Sequence, residues 1–103
     1  MKEEEEIVEL FEKYNDEYLK FDKIPVEERF SNSPDLCAFN LLYNHLNEEH
    51  KFKDIIQGAE HDEIFLMSLD DLLLDDMTEK DILYLTRCGI RYNEEFGSLS
   101  MFV

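Results

Sequence analysis

The residues able to do chemistry in this chain are three histidines, two cysteines and a large excess of carboxylates. His45 and His50 are five apart, about 140° around an ideal helix, so they do not meet as the histidines of an H-E-x-x-H zinc motif do. His61-Asp62-Glu63 sets three candidate ligands side by side, directly before an apolar run that reads as a strand. Neighbours on a strand point to opposite faces, so these three converge only with help from elsewhere. Brought together with His50, the set His50, His61, Asp62 and Glu63 would suit a divalent metal. That defines one alternative, a metal-dependent enzyme; the simpler reading is a solvated loop.

Cys37 and Cys88 lie far apart and form no C-x-x-C, a pattern of neither a disulfide framework nor a zinc ribbon. Cys37 falls in an apolar helical stretch and Cys88 precedes a glycine, so both read as packing residues. Neither has a histidine beside it in sequence. The chain contains no G-x-S-x-G, no P-loop and no G-x-G-x-x-G. The sequence therefore nominates no catalytic residue and no cofactor.

The carboxylates carry the strongest signal. Between Glu60 and Asp81, nine acidic residues stand against Lys80 alone, a local charge of −8 in 22 residues. The Asp-x-Asp-x-Asp-Gly alternation of an EF-hand loop is absent, which disfavours calcium binding of that type. In a helix, Asp71 and Asp75 would be like charges four apart and mildly destabilising. Acidity kept against stability fits a binding face, made of Glu60, Asp62, Glu63, Asp70, Asp71, Asp75, Asp76, Glu79 and Asp81, and the simpler reading is a solvated rim that keeps the chain soluble. The run Glu3 to Glu6 is a second candidate, although a helix start favours negative charge in any case.

The whole chain has 103 residues, with 26 acidic against 10 basic, for a net charge of −16. Phosphates would be repelled, which excludes direct binding to nucleic acid or an anionic membrane and leaves a basic protein as the expected partner. The hydrophobic fraction is 44% and the aromatic fraction 13%, too much large apolar surface for a disordered chain. The length is that of one domain, 1–103. Apolar runs are only a few residues long, so no segment spans a membrane. Met1-Lys2 followed by four glutamates is the reverse of a signal peptide's layout, and a cytoplasmic, reducing location is expected. Oligomeric state is open; exposed Tyr and Phe building a subunit contact is a third reading.

These residues must be positioned by an α+β fold. Ile7, Leu10, Phe11, Tyr14 and Tyr18 share a helical face, predicting a helix over 3–22. Ser33-Pro34 predicts an N-cap and first helical residue, with a helix from Pro34 to about Leu46. Phe52, Ile55, Ile56 and Ala59 suggest a short helix ending near Gly58, and Ile64 to Met67 a buried strand. Ser68 with Asp71, and Thr78 with Asp81, resemble capping boxes opening two more short helices, the second ended by Gly89. Residues 90–92 and 99–103 read as a hairpin. The expectation is a small antiparallel sheet of about three strands with helices packed on one face. Phe39, Tyr43, Phe65, Leu85 and Phe102 should be largely buried, and Arg87 and Arg91 should pair with the acidic face.

The stretch Ala59-Glu60-His61-Asp62-Glu63-Ile64-Phe65-Leu66, with Arg87-Cys88-Gly89-Ile90-Arg91-Tyr92 and the ending Met101-Phe102-Val103, resembles small acidic proteins encoded by phages and related mobile elements. Some such proteins inhibit host defence nucleases by occupying their nucleic-acid sites, and the resemblance implies that role here. The leading expectation is a non-enzymatic interaction module whose acidic surface docks on a basic, nucleic-acid-binding partner. A charge per roughly 1.7 Å of duplex axis is what such a surface would imitate.

Overall fold

The computed structural model describes residues 3–46, 56–60 and 62–102. Within them the chain forms three α-helices and a four-stranded antiparallel sheet. The first helix, α1, spans Glu4–Lys13. Glu4, Glu5 and Glu6 occupy its first turn, where the exposed N–H groups and the macrodipole favour carboxylates. Ile7 and Phe11 are buried on one face. The helix is shorter than the apolar spacing predicts. Asn15 and Asp16 follow, residues whose side chains compete for backbone hydrogen bonds, and the chain continues as 3₁₀ turns at Asn15–Glu17, Phe21–Lys23 and Val26–Glu28. Leu19, at φ 63°, lies between the first two turns; its N–H donates to the Thr86 carbonyl at 3.1 Å.

Helix α2 spans Pro34–Asn44, with Ser33 at the N-cap position and Pro34 at the first turn, as predicted. The Ser33 side chain does not cap. Its hydroxyl instead donates to Asp35, whose Oδ1 also accepts from the Leu36 N–H. Cys37, Ala38 and Leu42 are buried, whereas Tyr43 is 49% exposed, contrary to expectation. Tyr43 lies off the face that meets the core.

Helix α3, Glu79–Arg87, is closed by the capping box legible in the sequence. The Asp81 N–H donates to Thr78 Oγ1 at 3.1 Å and the Thr78 N–H donates to Asp81 Oδ2 at 2.9 Å. Ile82, Leu85 and Thr86 are buried. Gly89 terminates the helix with φ +99°, and a Cβ there would stand 2.8 Å from Leu19 Cδ2. The Ser68–Asp71 pair opens no such helix: Leu69–Asp71 is a single 3₁₀ turn, followed by another at Leu74–Asp76.

The strands are β1 Ile56–Glu60, β2 Glu63–Ser68, β3 Ile90–Asn93 and β4 Ser98–Phe102, in spatial order β1-β2-β4-β3. The fold is α+β with four strands rather than three, because Ile56–Glu60 pairs with β2 instead of forming the expected helix; Phe52 and Ile55 lie outside the described residues. Register places Ile64, Met101 and Ile90 in one row and Leu99 beside Tyr92 in the next. This face joins Leu66, Ile7, Phe11, Leu42 and Leu85 in the core. A register shift between Phe65 and Ser68 lets both Leu66 and Met67 turn inward. Glu63, Phe65, Ser100, Arg91 and Phe102 occupy the opposite face. That alternation leaves Phe102 51% exposed, against expectation, while Phe65 and Phe39 are neither fully buried nor exposed and Leu85 is fully buried as expected.

The two N-caps make a paired prediction. Thr78→Ala removes a side chain that caps and should lower stability by about 1 kcal/mol. Ser33→Ala removes one that does not and should lower it by clearly less. Equal shifts of the urea midpoint at unchanged slope would contradict this assignment.

Candidate functional site

The structure gives different surroundings to the seven predicted acidic residues whose side chains are described. Glu63 is tied into the outer sheet face: its Oε2 accepts from Ser100 Oγ at 2.7 Å, Arg91 Nη1 at 3.0 Å and Asn93 Nδ2 at 3.2 Å. Ser100 is fully buried, so this carboxylate satisfies a hydroxyl that water does not reach. Asp71 is only 3% exposed and its Oδ2 accepts from Ser68 Oγ at 3.3 Å. Glu79 accepts from Lys13 Nζ at 2.6 Å and from the Tyr14 hydroxyl. Asp81 is occupied in the capping box, with His45 Nε2 3.5 Å away. Asp62, Asp75 and Asp76 are exposed. The side chains of Glu60 and Asp70 lie outside the described set, as do His50 and His61 of the candidate metal site. Among the described residues, no three His, Cys, Asp or Glu side chains gather closely enough to hold a metal ion.

The cations are distributed with economy. Arg91 pairs with Glu63, as expected of it, and stacks over the Phe102 ring at 5.0 Å. Arg87 Nε lies 3.6 Å from Glu17 Oε2, outside the segment the sequence suggested, and Lys23 approaches the same oxygen at 3.5 Å. Burial raises the Glu17 carboxyl, but Lys23, Arg87 and Lys20 outweigh it and hold its pKa below the ordinary value. Lys80 pairs with Glu28 at 2.5 Å. Arg29 donates to the carbonyls of Ile24 at 2.8 Å, Asp22 at 3.2 Å and Phe21 at 3.3 Å, closing the 3₁₀ segment on itself.

The carboxylates of α1 are left outside this pairing. Glu5, Glu9 and Glu12 run along the helix opposite Ile7 and Phe11, all exposed, and none has an ion-pair partner among the described residues. Beside them a groove of about 480 Å³ opens between α1 and β3, one of the two edge strands of the sheet. Val8, Phe11, Ile90, Tyr92 and Phe102 give it apolar walls, and Glu12 and Glu94 stand on its rim. Tyr18 adds a phenol whose pKa is raised, first by burial, against the opposing effects of Arg91 and the Phe102 backbone. The groove is not readable from local sequence, since it joins residues some 80 positions apart. The Glu5, Glu9, Glu12 stripe was readable, as carboxylates at helical spacing.

The thiols take no part in this surface. Cys37 and Cys88 are free and buried, and the Cys37 thiol donates to the Ser31 carbonyl at 3.1 Å. Burial, then Cys37, pushes the Cys88 thiol from 9.0 up to about 12. Burial and a hydrogen bond with Cys37 likewise push the Tyr84 phenol from 10.0 up to about 12. Comparison of the chain with protein-family models, curated proteins and solved structures gives no match.

A pH prediction follows from these raised values. The unfolded chain releases both protons before the native state does, so it binds fewer protons in the alkaline range. This contribution to stability is complete below about pH 9 and is lost as pH rises toward 12. Thermal unfolding across pH 8 to 12 should show that decline, and native protein at pH 8 should react slowly with a thiol reagent. Fast stoichiometric labelling of Cys88 in the folded state would refute the burial argument.

Proposed function

We propose that this domain is a non-enzymatic interaction module that docks through an acidic surface on a basic, nucleic-acid-binding protein and occupies its nucleic-acid site. The observation that supports it most is the charge left on α1. Five of the ten residues of the helix are glutamates, all exposed. At 1.5 Å per residue the helix is about 15 Å long, so it carries a charge per roughly 3 Å. A nucleic-acid strand carries one per about 3.4 Å of axis. The helix thus matches the linear charge density of a single strand, on a rigid support. Lys13 is the only cation on α1, and Glu79 engages it.

A surface of this kind acts mainly on recognition. Like charge repels phosphates and membranes, while a basic cleft is attracted over a Debye length of about 10 Å at 0.1 M salt. The inhibitory role extends what the sequence resemblance to small acidic phage proteins implies, and it stands or falls with competition against nucleic acid. We place the protein in the cytoplasm, in keeping with its two unpaired cysteines. Among the described residues, no helix is long and apolar enough to cross a membrane.

The test begins with capture of binding proteins from the source cell on the immobilised domain. Each captured protein is then given a labelled duplex or single strand, and the domain is titrated in. The wild type should displace the nucleic acid. The triple variant Glu5→Gln, Glu9→Gln, Glu12→Gln should keep its circular dichroism and need at least tenfold more protein to do so. Equal competition by the variant, or none by the wild type, would overturn the reading.

A further inference from the structure

The two edges of the sheet differ in a way that assigns a partner to one of them. Exposed edge strands invite pairing with another chain, and proteins usually blunt them with bulges, lysine, proline or a covering element. The β1 edge is irregular, with a register shift between Ile56 and Gly58. The β3 edge, Ile90-Arg91-Tyr92-Asn93, has neither shift nor proline nor lysine. Its one cation, Arg91, is turned to Glu63 on the outer sheet face. Among the described residues, no backbone hydrogen bond other than those of the β3–β4 ladder reaches Ile90, Arg91 or Tyr92. The groove of about 480 Å³ lies directly alongside, within the range of roughly 300–1,000 Å³ typical of ligand sites.

We propose that β3 receives an extended, lysine- or arginine-rich segment of a partner protein, which adds a fifth strand to the sheet and seats an apolar side chain between Val8 and Phe102. The occupant is chosen by charge. Glu12 and Glu94 flank the groove, and the Glu5, Glu9, Glu12 stripe extends the same sign of charge along α1. A second copy of this chain would bring another −16 to the contact and be repelled. A basic strand is attracted, and its period of two separates the tasks. Alternate residues enter the groove, where its walls are apolar and its rim carries Glu12 and Glu94, while the cations between them add charge that a domain of net −16 attracts. Four paired residues span about 13 Å at roughly 3.3 Å each, enough to register one apolar side chain against the groove. This inference rests on the acidic-docking reading and specifies where and in what conformation the partner is held.

The probes are three peptides: a heptapeptide alternating lysine with leucine and carrying phenylalanine at its centre, the same peptide with alternate backbone amides N-methylated, and heptalysine. Affinity is measured by calorimetry, and contacts by amide chemical shifts of the full chain. The alternating peptide should bind at least tenfold more tightly than either comparator and shift the amides of Ile90, Arg91, Tyr92 and Val8. Phe102→Ala, at an exposed position, should keep the fold and narrow the gap to heptalysine. Equal binding of heptalysine or of the N-methylated peptide overturns strand addition while leaving the charge reading in place. Shifts confined to α1 or to Ile56–Glu60 overturn it as well. Tight binding of the alternating peptide with no dependence on salt would instead sink the charge reading and leave the groove standing. Concentration-dependent dimerisation through β3 would replace the basic segment with a second copy.

Discussion

Ten basic residues face twenty-six acidic ones in a body whose radius of gyration is 12.6 Å, and the described cations serve mainly as clasps between distant parts of the chain. Lys13 holds α1 to Glu79 at the start of α3, and Lys80 returns from α3 to Glu28 in the 3₁₀ segment. Arg87 reaches Glu17, and Arg91 joins Glu63 across the sheet. The more exposed of these pairs, Lys13–Glu79 and Lys80–Glu28, contribute only about 0–1 kcal/mol each, so they do not account for the fold's stability. Stability comes from the core of Ile7, Leu42, Leu66, Leu85, Ile90 and Leu99, which faces self-repulsion from the surface. The clasps decide where repulsion is relieved. It is relieved along the seams between α1, α3 and the sheet, and persists on the outer face of α1.

Glu63 shows how a carboxylate can be drawn into the structure of the sheet. It sits among buried or half-buried donors on the outer sheet face, so removing it would leave Ser100 without a partner in a place water does not reach. Asp71 is withdrawn from the surface in the same way. Which of the described carboxylates stay exposed is therefore set by burial and pairing, and not by local charge density along the chain.

What the sequence disclosed was whatever depends on neighbours in the chain. The Thr78–Asp81 box, the Gly89 stop, the start of α2 at Pro34 and the C-terminal hairpin all rest on contacts within a few residues. The β1 strand was hidden because Gly58 and Ala59 have no strand preference of their own; their place is fixed by pairing with Phe65 and Ile64. Phe102 was misjudged because an aromatic residue in a strand can face either side, and only the register puts it with Glu63 on the outer face. The acidic character of the chain was plain, yet which of the described carboxylates are paired or buried depends on contacts between distant parts of the chain that local sequence does not show.

In the proposed reading, the carboxylates of α1 and the edge strand β3 divide recognition into two parts: charge would bring a basic partner to that side of the molecule, and the groove would hold what fits. The most direct test of this account is the association rate with the captured basic partner, measured by stopped flow as salt rises from 0.05 to 0.5 M. The account predicts a fall of at least tenfold, with a much smaller change in the dissociation rate. An association rate that stays flat over that range would contradict it.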